Sequence, residues 1–96
     1  MNLKSAVEKN WSCEAQQYSE NVKIELESNL PNQWISLIEK YVPRTDYKNV
    51  LDIGTGPGFF PIILSKCGYT VTGIDCTPAM LDEAKKNLQL YNVSAN

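Results

Sequence analysis

The apolar positions of the chain fall into three successive patterns. From residue 1 to 42 the spacing is helical. Val7, Trp11, Ala15 and Tyr18 form one apolar stripe, and Val22, Ile24 and Leu26 mark a second, short helix. The Asn29-Leu30-Pro31 step interrupts the pattern. Pro31 suits the start of a new helix, where its missing N–H costs little, and Trp34, Ile35, Leu37, Ile38 and Tyr41 give that helix its stripe. Pro43 closes it, because the residue before a proline is pushed out of the helical region.

The pattern then changes. Val50-Leu51-Asp52-Ile53 is a short apolar run that suits a buried parallel strand, and Gly54-Thr55-Gly56-Pro57-Gly58 follows it directly. Phe59 to Lys66 reads as a helix with Pro61 in its first turn and Gly68 just past its end. Tyr69 to Asp75 is a second strand, rich in β-branched residues. Thr77-Pro78 opens a last helix, as an N-cap and a first-turn proline, with Met80, Leu81, Ala84, Leu88 and Tyr91 on its apolar face. Asn92 to Asn96 reads as a polar tail. The expected order is three helices, then strand, helix, strand, helix. A strand-helix-strand unit makes its strands parallel, with a right-handed crossover. The fold class is therefore α/β: a helical leader over residues 1–42, and over 43–96 the first half of a doubly wound, Rossmann-like sheet.

Composition narrows the function classes. The 96 residues carry a formal net charge of −2 and are 43% hydrophobic, which suits a globular protein. No basic block argues for nucleic acid or an anionic membrane as partner. The start of the chain is polar, with no secretory h-region, and no apolar run is long enough to span a bilayer, so the expected location is cytoplasmic. Cys13, Cys67 and Cys76 show no C-x-x-C spacing, and the chain has no histidine. These cysteines are expected to be reduced thiols, and neither a zinc site nor a histidine-based catalytic pair is expected.

The candidate chemistry lies in Val50 to Phe60. A glycine-rich turn between a strand and a helix lets a ligand approach the backbone closely, at the strand end where open α/β sheets bind ligands. About twenty residues on, Asp75 ends the second strand, where a carboxylate can accept hydrogen bonds from ribose hydroxyls. A nucleoside ligand fits this arrangement. The dinucleotide fingerprint G-x-G-x-x-G does not match, because Phe59 holds the third glycine's place and the chain reads G-x-G-x-G. Asp52, two positions before the first glycine, also speaks against a nicotinamide cofactor.

Val50 to Gly58 resembles motif I of class I S-adenosylmethionine-dependent methyltransferases. Val71-Thr72-Gly73-Ile74-Asp75 with Thr77 to Leu81 resembles the post-I region, and Trp11, Ala15 and Tyr18 resemble the W-x-x-x-A-x-x-Y helix that precedes the core in many small-molecule methyltransferases. The resemblance runs from about Asn10 to Tyr91. It implies S-adenosylmethionine as cofactor, with its methionine part along Gly54, Thr55, Gly56 and Gly58 and its amino group oriented by Asp52. It further implies that Asp75 holds the ribose hydroxyls, that Cys76 and Met80 border the adenine, and that Tyr18 closes the site. The plainer alternatives are a helix-capping or turn carboxylate for Asp52, a core methionine for Met80, and core packing for Trp11 and Tyr18, with Tyr18 able to do both. The resemblance also implies an incomplete domain: the strands that would carry further cofactor contacts and catalytic groups are expected to be missing. Two open strand edges would then pair with a second copy or be poorly ordered. No catalytic residue is assigned. The partners implied are S-adenosylmethionine or S-adenosylhomocysteine and an unidentified methyl acceptor. A non-catalytic binding module is the alternative.

Overall fold

A computed structural model describes the backbone of residues 3–96 and the side chains from Glu14 onward. Four helices and two parallel strands follow in the order α1 (Leu3–Leu26), α2 (Leu30–Tyr41), β1 (Asn49–Ile53), α3 (Phe59–Lys66), β2 (Thr70–Ile74) and α4 (Pro78–Leu90). The expected α/β architecture is present, with one correction in the leader. The first two helices expected there are a single helix of 24 residues. No glycine or proline lies between Tyr18 and Val22 to break it, and Ala15, Ser19 and Val22 are all buried along one continuous stripe. The polar Ser19 interrupts that stripe in sequence but not in space. Val7, Trp11 and Cys13, named in the sequence reading, lie outside the described side chains.

β1 and β2 pair in register, with Val50 opposite Val71 and Asp52 opposite Gly73. Because side chains alternate across a strand, these four residues share one face and Leu51, Ile53, Thr72 and Ile74 share the other. The first face meets the helices: Val71 is buried among Phe59, Ile63 and Leu64 of α3, Val22 of α1 and Tyr69, with Val50 packed alongside. The second face is open. Leu51 is 59% exposed and Ile53 75% exposed, so β1 is a half-buried strand and not the fully buried one its apolar run suggested.

Local chemistry explains the element ends. After α3, the Tyr69 N–H donates to the Leu64 carbonyl and the Gly68 N–H to the Ser65 carbonyl, both at 3.1 Å. This is the paired arrangement of a Schellman motif. The Arg44 guanidinium donates to the Cys67 carbonyl at the same helix end, at 3.0 Å, where a cation also complements the helix dipole. Pro78 starts α4, and Thr77 occupies the N-cap position without a side-chain capping bond. The final residues are not a free tail. Ala95 packs against the core, the Asn96 N–H donates to the Val71 carbonyl at 2.9 Å, and the Gly73 N–H donates to the Asn96 carbonyl at 2.8 Å. Asn96 therefore occupies part of the outer edge of β2, which the sequence reading had left unpaired.

The α1–α4 contact is held by a buried polar residue. Asn87 donates from Nδ2 to Ser19 Oγ at 3.1 Å and to the Pro57 carbonyl at 2.9 Å. It thereby joins α4, α1 and the glycine loop at one point. At the far end of the same contact, the Tyr91 hydroxyl donates to Glu27 at 3.1 Å.

Candidate functional site

The loop from Gly54 to Gly58 leaves the carboxyl end of β1 and runs into α3. Its backbone is shaped by glycines with left-handed φ of +72° at Gly54 and +55° at Gly56. A Cβ at either position would meet no heavy atom within 4 Å. Conformation requires glycine here, and the side toward solvent is clear, so a ligand can lie directly on the peptide backbone. Gly58 is different. It is the N-cap of α3, is buried, and packs against Ala84, whose Cβ would stand 3.4 Å from an added Cβ.

The two carboxylates organise the loop from either side. Asp52 accepts a hydrogen bond of 2.7 Å from the Thr55 hydroxyl. Asp75 accepts from the Gly56 N–H on Oδ2 and from the Thr77 N–H on Oδ1, both at 2.9 Å. An ionised carboxylate has about four acceptor positions, so Asp75 fixes the loop while retaining capacity for two more donors. Thr55 is buried, and its N–H donates to the Ile74 carbonyl at 2.8 Å, continuing the strand pairing into the loop. Its side chain lies on Gly73: a Cβ there would come within 2.7 Å of Thr55 Oγ1. Gly73 thus makes room for the loop, a role the sequence reading did not give it.

These groups line one cavity of about 1000 Å³, near the upper end of the roughly 300–1,000 Å³ usual for small-molecule sites. Asp52, Gly54, Thr55, Gly56, Asp75, Cys76, Met80 and Tyr18 all reach its wall. Of the residues singled out by sequence, Gly58 alone is absent from it and serves the turn and the α3–α4 contact instead. Met80 is only 4% exposed, so it belongs to both core and cavity. Cys76 is an exposed free thiol with its Sγ 3.9 Å from Thr77 Oγ1.

Sequence reasoning missed the other side of the cavity, where Glu25 of α1, Trp34 of α2 and Phe59 and Phe60 of α3 form the wall. Phe60 stands edge-to-face with Trp34 and with Phe59, each pair with ring centroids 5.2 Å apart. The available signal was an aromatic pair directly after the glycine loop, which was read only as the start of a helix. Among the described residues, no cluster of histidine, cysteine, aspartate and glutamate could hold a metal ion, and no helix is long and apolar enough to cross a membrane.

Comparison with known proteins agrees with this geometry. Residues 50–96 match the family model for a methyltransferase domain. The chain is similar to the ribosomal protein L11 methyltransferase of Clostridium perfringens, 38% identical over 60 residues, which is 62% of this chain and 18% of that protein. Among solved structures it is similar to the tRNA (uracil-54, C5)-methyltransferase of Pyrococcus abyssi in complex with S-adenosyl-L-homocysteine. That match has a TM-score of 0.53 and 32% identity, over 66% of this chain and 16% of that one. A second structure, from work on the conversion of a disulfide bond into a thioacetal group during echinomycin biosynthesis, matches with a TM-score of 0.55 and 30% identity, over 62% and 24% of the two chains. The match thus spans less than a quarter of each of these proteins. Over residues 50–96, with the glycine loop and both strands, the chain is similar to class I S-adenosylmethionine-dependent methyltransferase domains.

Proposed function

We propose that this chain supplies the S-adenosylmethionine-binding part of a methyltransferase acting on a small molecule. In this reading residues 43–96 carry the cofactor and residues 1–42 form the opposing wall. One observation carries it: an open glycine backbone, flanked by Asp52 and Asp75, faces a single cavity. The residues present fit the cofactor. The clear space over Gly54 and Gly56 admits its methionine part against the peptide plane, with Thr55 holding the loop in place. Asp52 orients the amino group, and the free acceptor positions of Asp75 take the ribose hydroxyls. Cys76 and Met80 border the adenine, and Tyr18 closes the site from α1. Gly58 supports this arrangement through the loop, without contact. When bound, the cofactor supplies an electrophilic methyl group on a sulfonium. The relatives named above act on a ribosomal protein, a tRNA and a disulfide, so the shared core leaves the acceptor class open. The enclosing leader helices and the lack of a basic surface block favour a small molecule. The free thiols of Cys67 and Cys76 suit a reducing compartment such as the cytoplasm.

Methyl transfer depends on holding donor and acceptor in line and excluding water. The open face of the sheet and the small share of each relative that is matched favour binding without appreciable turnover by these 96 residues alone. The expected result in thermal melting is protection by S-adenosylhomocysteine and none by NAD, together with no transfer of labelled methyl to any acceptor. Protection by NAD alone would overturn the cofactor assignment, and robust methyl transfer would overturn the binding-only role. A second reading, self-association, is favoured by the exposed apolar residues Leu51, Ile53 and Ile74 on one sheet face. Sedimentation distinguishes them, since this reading requires a concentration-dependent dimer.

A further inference from the structure

The cofactor reading leaves part of the cavity wall unexplained. Trp34, Phe60 and Glu25 line the same space as the glycine loop, yet none has a role in holding a nucleoside. We propose that this leader-side wall is the acceptor subsite and that it takes a small amine with an aromatic or apolar body, an inference that rests on the cofactor reading above.

Two independent features point to that class. The first is the surface itself. Trp34 and Phe60 are fixed edge-to-face at 5.2 Å, which holds both rings in place, and Trp34 remains 38% exposed. An ordered, accessible indole beside a second ring offers apolar contact and attracts a cation to its face. The second feature is charge. Among the described residues, three carboxylates line the cavity, Glu25, Asp52 and Asp75, and no lysine or arginine does. The nearby leader lysines are engaged elsewhere: Lys23 pairs with Glu20 at 3.2 Å, and Lys40 stands 5.4 Å from the centre of the Tyr41 ring. On the leader side of the cavity, away from the glycine loop, a carboxylate or phosphate group would meet Glu25 with no cationic side chain to compensate it, whereas an ammonium would meet Glu25 and the aromatic rings. Glu25 is exposed, so its ion pair contributes modestly and the aromatic rings add to it. Transfer to such a ligand is balanced. The bound ammonium would first give up a proton to water; the freed nitrogen lone pair would then form the new N–C bond as the sulfonium's S–C bond breaks with its electron pair staying on sulfur.

The test uses the 96-residue chain with and without S-adenosylhomocysteine, whose own binding is measured first by calorimetry. Phenethylamine, phenethyl alcohol and hydrocinnamate share one ring and differ in charge. Each is titrated while the indole N–H resonance of Trp34 is followed by NMR, assigned with Trp34→Phe. The amine is expected to give a saturable shift and to bind roughly five- to thirtyfold more tightly than the alcohol, from a cation–π contact and one exposed ion pair together. Hydrocinnamate is expected to bind most weakly. Glu25→Gln should reduce the amine's advantage roughly two- to fivefold and leave the affinity for S-adenosylhomocysteine unchanged. Equal binding of amine and alcohol, tighter binding of hydrocinnamate, or no saturable shift with any probe would overturn the proposal. So would a Glu25→Gln variant that loses S-adenosylhomocysteine affinity while keeping the amine, since Glu25 would then serve the cofactor. Absent S-adenosylhomocysteine binding with the amine preference intact would instead sink the cofactor reading alone.

Discussion

Asn87 is the strongest single test of how the site is held. It is 1% exposed, and its amide gives both N–H groups to partners, Ser19 Oγ on α1 and the Pro57 carbonyl in the glycine loop. Asn87→Leu keeps most of the volume and removes both donors. Each bond contributes about 1 kcal/mol net, and each buried acceptor left without a donor costs about 1–3 kcal/mol more if no water reaches it. The Ser19 hydroxyl can rotate to a backbone carbonyl of its own helix, so the larger penalty falls on the Pro57 carbonyl. The expected loss is about 2–4 kcal/mol. That is a large part of the roughly 5–14 kcal/mol that 0.05–0.15 kcal/mol per residue gives for a chain of this size. Urea denaturation followed by circular dichroism reads it directly: with a slope of about 1–2 kcal/mol/M, the midpoint should fall by about 1–4 M. Gln89→Ala, an exposed change on the same helix, should cost less than about 0.5 kcal/mol. If Asn87→Leu costs no more than this control, the two hydrogen bonds do not hold α4, α1 and the loop together, and the account of the site's scaffold is wrong.

Other residues give sharper, smaller tests. Gly54→Ala and Gly56→Ala place a side chain at left-handed φ with open space around it, so stability should fall by only about 1–2 kcal/mol. Affinity for S-adenosylhomocysteine should fall further, because the new methyl stands where the ligand lies; equal losses in both would argue against backbone contact. Gly73→Ala drives a methyl onto Thr55 and should cost about 1–3 kcal/mol from overpacking, with part recovered in the double variant with Thr55→Gly; additive losses would show that the Gly73–Thr55 contact is not the cause. Burial, then the nearby Glu39 carboxylate, raises the Tyr69 phenol above its ordinary 10.0. The folded state therefore holds this proton more tightly than the unfolded chain. Stability should be constant below about pH 10 and fall as pH rises beyond it, and Tyr69→Phe should flatten that fall while losing about 1 kcal/mol at neutral pH with the bond to the Val42 carbonyl. An unchanged alkaline slope in Tyr69→Phe would assign the effect to other groups.

The core of the site was legible in the sequence because its constraints are local. The run from Val50 to Gly58 has few structural solutions: an apolar strand, then glycines that permit left-handed backbone, then a helix. Asp75 follows at the end of the next strand, and the register of β1 with β2 sets both carboxylates at the same end of the sheet as the glycine loop. The misses are long-range. Ser19 is a buried polar residue lying between the two helices expected in the leader, which are one helix. Its burial depends on Asn87, 68 positions away, and Asn87 itself lies on the helical stripe of Met80 and Ala84, where a polar residue was the available clue. The leader-side wall needs Glu25, Trp34 and Phe60 from three helices, which no local period connects. The openness of the Leu51 and Ile53 face, and the pairing of Asn96 with β2, depend on how elements stack, which an apolar run or a polar tail does not encode.

If the loop and its two carboxylates form a preformed cofactor site, these residues bind the nucleoside ligand without further strands. The most direct measurement is a calorimetric titration of the chain with S-adenosylhomocysteine, beside Asp75→Ala. Saturable one-to-one binding is expected, weakened about tenfold or more when the charged acceptor is removed, since hydrogen bonds to a charged group contribute about 1.5–3 kcal/mol. Binding that is indifferent to Asp75→Ala, or no binding by a chain that circular dichroism shows to be folded, would contradict it.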